Sequence, residues 1–371
     1  MTLTQNENFW CVIPAGGIGS RLWPLSRADE PKFLLDLTGS GKSLLAATWE
    51  RLQPLAPADR TVVVTGISHR ASVWQQIPDL LPQNLLTEPE PKDSSAAIGL
   101  AAAIIERRNP QAIIGSFAAD HVIGNQFLFN RAVTTAIKAA ETGAIVTIGI
   151  RPSHPSTAFG YIQTGEPRGD IAPLDVFAVQ KFVEKPDLAT AERYLAAGDR
   201  LWNAGMFISR ADVLLSQLTE AEPEMVEMLR ELAAAWDTPN AAAMREKIWP
   251  KLPKVAIDYT VAEPAAKAGR MLCVAAHFAW DDVGDFASVA NLLSRGRKHD
   301  LAVLGDGAQV LSESSSGIVV AQPGRLVTVV GVSDIVIVDT PDVLLVTDKK
   351  HAQDVKNLVA RVRNIGKNDL L

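Results

Sequence analysis

Cysteine, long apolar runs and excess positive charge are all scarce in this sequence, and each shortage removes a class of function. Only two cysteines occur in 371 residues, Cys11 and Cys273. Both sit in apolar strand-like runs, so they read as small buried hydrophobes and argue against a disulfide framework or a thiolate metal site. No apolar run approaches the ~20 residues of a membrane span, and no basic segment followed by an apolar one opens the chain; a soluble, cytoplasmic protein with no membrane partner is expected. Lysine and arginine number 36 against 42 aspartates and glutamates, a formal net charge of −6. That balance argues against nucleic acid as a partner, though a local basic pocket remains compatible with it. The histidines His69, His154, His277, His299 and His351 lack metal-ligand spacing and read as surface or structural. Scattered tryptophans read as core rather than as a stacking platform.

Two familiar phosphate loops are also missing. The run Gly17-Ile18-Gly19 begins a dinucleotide fingerprint, but Leu22 stands where its third glycine belongs. The segment TGSGKS has Asp36 where a P-loop needs its first glycine, and reads instead as a turn in which Ser43 caps the helix LLAATWERL. What remains is the stretch 9–37, FWCVIPAGGIGSRLWPLSRADEPKFLLDL. A buried strand feeds Gly16, Gly17 and Gly19, whose freedom at φ > 0 lets backbone N–H groups approach an anion. Arg21 and Lys32 follow on a loop stiffened by Pro24 and Pro31. Fixed cations beside a glycine cradle suit a triphosphate.

GGIGSRLWPLSR, with the later Pro31-Lys32, resembles the signature of the sugar-phosphate nucleotidyltransferases and is most similar to their mannose-1-phosphate guanylyltransferase branch. Family members commonly read P-K-Q-F-L here; this chain has Pro31-Lys32-Phe33-Leu34, one residue shorter, with the lysine retained.

Strand-like and helix-like runs alternate from residue 9 to 150, the pattern of an α/β fold with a parallel sheet covered by helices. Residues 151–212 are turn-rich and read as an insertion carrying the strands FAVQKFVEKP and WNAGMFISR, followed by helices over 211–236 and 240–248. Short β-rich runs then lead to a final helix over 351–363. The expected division is a Rossmann-like catalytic domain, 1–294, and a small C-terminal domain, 295–371, which the resemblance implies is left-handed β-helix-like and a dimer contact. With Leu371 as its last residue, the chain is expected to lack the further isomerase domain that some bifunctional relatives append.

Several carboxylates and polar residues stand where chemistry is plausible. Asp120 ends the strand AIIGSFAAD, where open α/β sheets meet their ligands, and reads as a metal ligand or a helix cap. Asp281, Asp282 and Asp285 crowd together in WDDVGD, an exposed turn or a metal site. Glu184 and Lys185 end the strand of FVEKP, where Pro186 permits a bend that would put both in one pocket; an exposed ion pair is the alternative. Asn203 suits vicinal hydroxyls, and Gly160 allows a sugar ring close to the backbone. Glu88 suits a guanine edge, and Ser94 or Ser95 could cap the helix beside it.

The resemblance implies specific roles. Ala15, Gly16, Gly17, Gly19, Ser20, Arg21, Glu88, Ser95 and Asp120 bind the nucleotide; Gly160, Glu184, Lys185, Asn203 and Asp258 bind the sugar phosphate; Asp120 and Asp282 hold Mg²⁺; Arg21, Lys32 and Lys185 are catalytic. The implied reaction joins GTP and mannose 1-phosphate to give GDP-mannose and pyrophosphate, and a homodimer is expected. A sister enzyme using another nucleotide and sugar, and a regulatory subunit that binds without turnover, are the alternatives.

Overall fold

The structure, a computed structural model, describes residues 5–172, 175–294 and 300–371. His299 lies outside the described residues, as does residue 295, the expected start of the second domain. Two compact units form: Met1–Gly16, Trp49–Ala119 and Ile123–Trp280 make the first, and Gly17–Thr48, Asp120–Val122 and Asp281–Leu371 the second. These units do not follow a single cut after residue 294. The reason is hydrophobic: Leu22, Trp23, Leu35 and Leu37 of the signature stretch share one buried cluster with Val283, Phe286, Ile318, Val336 and Leu345.

The first unit is built on a sheet that has nine strands among the described residues: β1 (Phe9–Ala15), β2 (Thr61–Gly66), β3 (Leu85–Glu88), β4 (Ile113–Ser116), β5 (Ile145–Ile150), β6 (Tyr161–Pro167), β7 (Val176–Val183), β8 (Arg200–Arg210) and β9 (Met271–Ala276). Their order is β3-β2-β1-β4-β8-β5-β9-β7-β6. Strands β1 to β4 pair in parallel. The alternation of β1 sends Trp10 and Val12 into the same cluster as the helix Asp93–Arg108, whose residues Ser95 to Ile105 are all buried.

The strands of residues 9–150 share one direction, as expected, but the whole sheet is mixed. Strand β8, read from sequence as part of an insertion, lies in the middle, antiparallel to both β4 and β5. Along its other edge it changes partner: Arg200–Trp202 pair with β6, and Phe207–Arg210 with β4. Between those halves the register with β5 shifts, at Gly205 with φ of 66°. The expected helix over 211–236 is two, Ala211–Ala221 and Pro223–Trp236, because proline cannot continue the first and is preorganised to start the second.

In the second unit, strands starting at Leu301, Gly317 and Ile335 stack in parallel, and a separate parallel pair joins Gln309–Glu313 to Leu326–Val330. This is the β-helix-like module expected from the short runs. Its final helix starts later than expected, at Val355, after a 3₁₀ turn over Lys349–Asp354.

Candidate active site

In the order β3-β2-β1-β4 the sheet reverses its winding between β1 and β4, and ligands of such sheets gather outside the carboxyl ends of strands at that reversal. The two ends emerge together, with Ala119 N–H donating to the Pro14 carbonyl at 3.1 Å. The chain leaves β1 into the glycine loop and β4 into Asp120. Of the three glycines only Gly19 takes a positive φ, 78°, and a Cβ there would meet Lys32 Cβ at 2.6 Å. Gly16 has nothing within 4 Å of a Cβ, and Gly17 only Asp120 Oδ2 at 3.8 Å. The cradle therefore needs one glycine for its conformation and leaves open space beside the other two. Ala15 is buried at the end of β1, while Ser20 is exposed.

Lys32 is buried, with its ammonium 2.8 Å from Asp120 Oδ2 and donating to the Asp282 carbonyl. Burial works to raise the Asp120 pKa, but the Lys32 charge, aided by His121, holds it below the usual carboxylate range. Asp282 goes the other way, pushed up to about 6 by burial and, against the pull of Lys32, by the charges of Asp281, Asp120 and Asp285. Arg21 is half-buried, and its Nε has no hydrogen-bond partner. A buried guanidinium nitrogen left unpaired suits an arriving anion.

Geometry separates the three aspartates of WDDVGD. Asp281 accepts from Val283 N–H at 2.7 Å and from the Ser288 hydroxyl. Asp285 caps the helix Phe286–Leu293 through Ser288 N–H at 3.0 Å and accepts from Gln353. Those two build the turn, so the role of Asp285 is a structural one. Beside Asp282, Val283 is fully buried at φ of 49°, a left-handed conformation that costs a β-branched residue about 1–3 kcal/mol and is held only where packing dictates it. Among the described residues no three or more His, Cys, Asp or Glu side chains are grouped to hold a metal. Two carboxylates, Asp120 and Asp282, with no nitrogen or sulfur ligand, nevertheless fit Mg²⁺, which usually takes one or two carboxylates and completes its shell with water and phosphate oxygens.

The sugar-side residues form a second cluster, within the first unit. Asn203 sits at the point where β8 changes partner. Its Oδ1 accepts from the Thr147 hydroxyl at 2.8 Å and from Gly205 N–H at 3.2 Å, and its Nδ2 donates to Asp258 Oδ1 at 3.0 Å. Asn203 N–H donates to the Gly160 carbonyl at 2.8 Å. A Cβ at Gly160 would lie 2.5 Å from Glu184 Oε2, a buried oxygen with no hydrogen-bond partner. Lys185 reaches back to Glu184 Oε1 at 2.9 Å. The bend expected at Pro186 is made by Lys185 itself, at φ of 44°. Desolvation works to lower the Lys185 pKa, but the Glu184 bond and charge, with Asp258, keep it above the ordinary lysine value. Asp258 opens a π-helical turn and is pushed up to about 7 by burial and then by the Glu184 charge.

Glu88 ends β3, buried, with Oε1 unpartnered and its pKa raised to about 7 by burial and then by Asp93. The serines expected beside it are otherwise engaged. Ser95 is fully buried and pairs with the Thr260 hydroxyl at 2.8 Å, and Ser94 accepts from Ile257 N–H at 2.9 Å. Neither caps the helix Asp93–Arg108, which has no side-chain cap. Lys92 pairs with Glu90 at 2.9 Å. Thr147 escaped sequence reading, although a lone hydroxyl in the apolar run AIVTIGI was its signal.

The sequence profile of the nucleotidyl transferase family matches residues 11–296. The chain belongs to that family. A second profile, the mannose-phosphate isomerase/GMP-like β-helix domain, matches residues 307–362 of this nucleotidyl transferase. The mannose-1-phosphate guanylyltransferase of Escherichia coli K12 is 35% identical over 363 residues, 96% of this chain and 74% of the relative. The xanthan biosynthesis protein XanB of Xanthomonas campestris is 35% identical with the same coverage. A crystal structure from Thermus thermophilus, described as a mannose-1-phosphate geranyltransferase, is similar at a TM-score of 0.85 and 32% identity, over 96% of this chain and 99% of that one.

Proposed function

We propose that this nucleotidyl transferase moves GMP from GTP to α-D-mannose 1-phosphate, forming GDP-mannose and releasing pyrophosphate. The observation that carries the reading is the buried Lys32 between Asp120 and the Asp282 backbone, where charge is gathered for a polyphosphate. The names of relatives alike over nearly the whole chain support the choice of substrates.

The sugar phosphate is ionised at neutral pH, so the nucleophile needs no general base. One of its oxygens bonds to the α-phosphorus as the bond from that phosphorus to the bridging oxygen breaks; the electron pair leaves on pyrophosphate. Positioning and charge neutralisation supply the catalysis. Arg21 and Lys32 neutralise the triphosphate, Lys185 holds the sugar phosphate, and Glu184 and Asn203 take the sugar hydroxyls. Asp120 and Asp282 would hold Mg²⁺, which supplies further neutralisation when bound. Glu88, which accepts hydrogen bonds best when ionised, reads the guanine. We assign 1–294 to catalysis and 295–371 to the β-helix-like module, and place the enzyme in the cytoplasm as a homodimer. No helix among the described residues is long and apolar enough to cross a membrane.

The test is a matrix of nucleoside triphosphates against sugar 1-phosphates, scored by released pyrophosphate. The expected maximum is GTP with mannose 1-phosphate; a maximum at another pair replaces the substrates, and no release with any pair leaves a binding subunit.

A further inference from the structure

Two residues of the signature run GGIGSRLWPLSR have no part in the chemistry above: Trp23 and Arg27. Both are engaged with the C-terminal segment of the second unit. Arg27 makes a two-pronged bond to Asp342, Nη1 to Oδ2 at 2.7 Å and Nη2 to Oδ1 at 2.5 Å. Its Nε donates to the Pro24 carbonyl at 3.1 Å, so one planar group grips its own loop and the C-terminal module together. Trp23 is buried, and its indole N–H donates to the Leu370 carbonyl at 2.7 Å. A third tie runs from Gln353 to Asp285, the residue that caps the helix after Asp282.

These ties reach the cradle through one residue. Ser26, the neighbour of Arg27, donates its hydroxyl to the Gly19 carbonyl, and Gly19 is the glycine whose Cβ position is filled by Lys32. The side chain of Asp342 is 40% exposed and that of Arg27 18%, a setting in which solvent holds even a two-pronged pair to about 1 kcal/mol of stability. The Arg27 fork fixes direction instead.

We propose that Asp342 and the Leu370 carbonyl are positioning groups for the nucleotide loop: the C-terminal module aims Gly19 and Lys32 through Arg27 and Trp23. This rests on the reading of that loop as the nucleotide site. It gives the module a role in nucleotide affinity that is independent of any dimer contact.

The experiment measures GTP binding by calorimetry, with Mg²⁺ and without sugar phosphate, alongside melting temperature and oligomeric state. Variants of the full chain are Asp342→Ala, Asp342→Glu and Trp23→Phe. Asp342→Ala and Trp23→Phe are each expected to weaken GTP about tenfold, short of the roughly 100-fold that a 1 Å misplacement can cost. Asp342→Glu, which keeps the carboxylate, should recover most of the loss; oligomeric state should hardly move in any variant, nor melting temperature in the Asp342 variants, while Trp23→Phe lowers it by what a trimmed core residue costs without unfolding the chain at the assay temperature. Unchanged GTP affinity in Asp342→Ala and Trp23→Phe overturns the proposal, as does a loss that only follows unfolding or dissociation. Pyrophosphate release by the unaltered chain reports separately on the reaction, so a failed substrate assignment is distinguishable from a failed clamp.

Discussion

The clusters around Lys32 and around Asn203 are built differently. Around Lys32 the side chains are charged: the ammonium meets the Asp120 carboxylate and the Asp282 backbone carbonyl, and the Asp120 and Asp282 carboxylates have opposite pKa shifts. Around Asn203 the Glu184–Lys185 pair and Asp258 share the cluster with an amide, a hydroxyl and close glycines, and one buried carboxylate oxygen on Glu184 has no partner. Removing one partner from a buried ion pair costs about 3–5 kcal/mol, because the other charge is stranded. Removing a neutral hydrogen bond costs about 1 kcal/mol, unless it leaves a buried group unsatisfied. The side chains of the first cluster are thus charged, while the second sets its charges among neutral hydrogen-bonding groups and close backbone.

If that contrast holds, substitutions on the two sides should fail differently. The largest effect is expected from Asp282→Ala, a loss of about 10³-fold in turnover with Mg²⁺ and a preserved circular dichroism spectrum; near-normal activity would remove Asp282 from the site. Gly160→Ala should act on one substrate only. Its Cβ collides with Glu184 Oε2, so kcat/KM for mannose 1-phosphate should fall roughly 10- to 100-fold while GTP affinity stays unchanged. Equal losses toward both substrates would erase the distinction between the clusters.

The smallest effect is a stability difference at Asp258. Its folded pKa, about 7, lies above that of a free aspartate, so folding favours the protonated form. The stabilisation is fully present below about pH 4 and is lost as pH rises through about 7. Asp258→Asn, which cannot ionise, should match the unaltered protein at pH 4 and exceed it by roughly 2–4 kcal/mol at pH 8 in denaturant unfolding. No gain at pH 8 would mean that Asp258 is carried ionised without cost.

Much of this is legible in the chain. The glycine loop, Asp120 at a strand end and the parallel strands β1 to β4 follow from apolar runs and turn residues, which act locally, although their order in the sheet does not. The place of strand β8 is not, because WNAGMFISR shows only that it is a strand; its partners, β4 and β5, are distant in sequence. Ser95 misleads for a related reason. A serine near a helix start has the chemistry of a cap, but Thr260, far along the chain, takes its hydroxyl. The packing of Leu22 and Trp23 into one core with the C-terminal strands is likewise not legible, because those partners lie far along the chain.

The change of partner along β8 also bears on how such a protein can evolve. The hairpin of β6 and β7 holds the strand before Asn203, while β4 holds it after. Strands β1 to β4 pair with one another and with that second half of β8, not with the hairpin. A lineage can therefore lengthen, shorten or recompose that hairpin, and so reshape the surroundings of Asn203, without replacing any backbone pairing of β1 to β4.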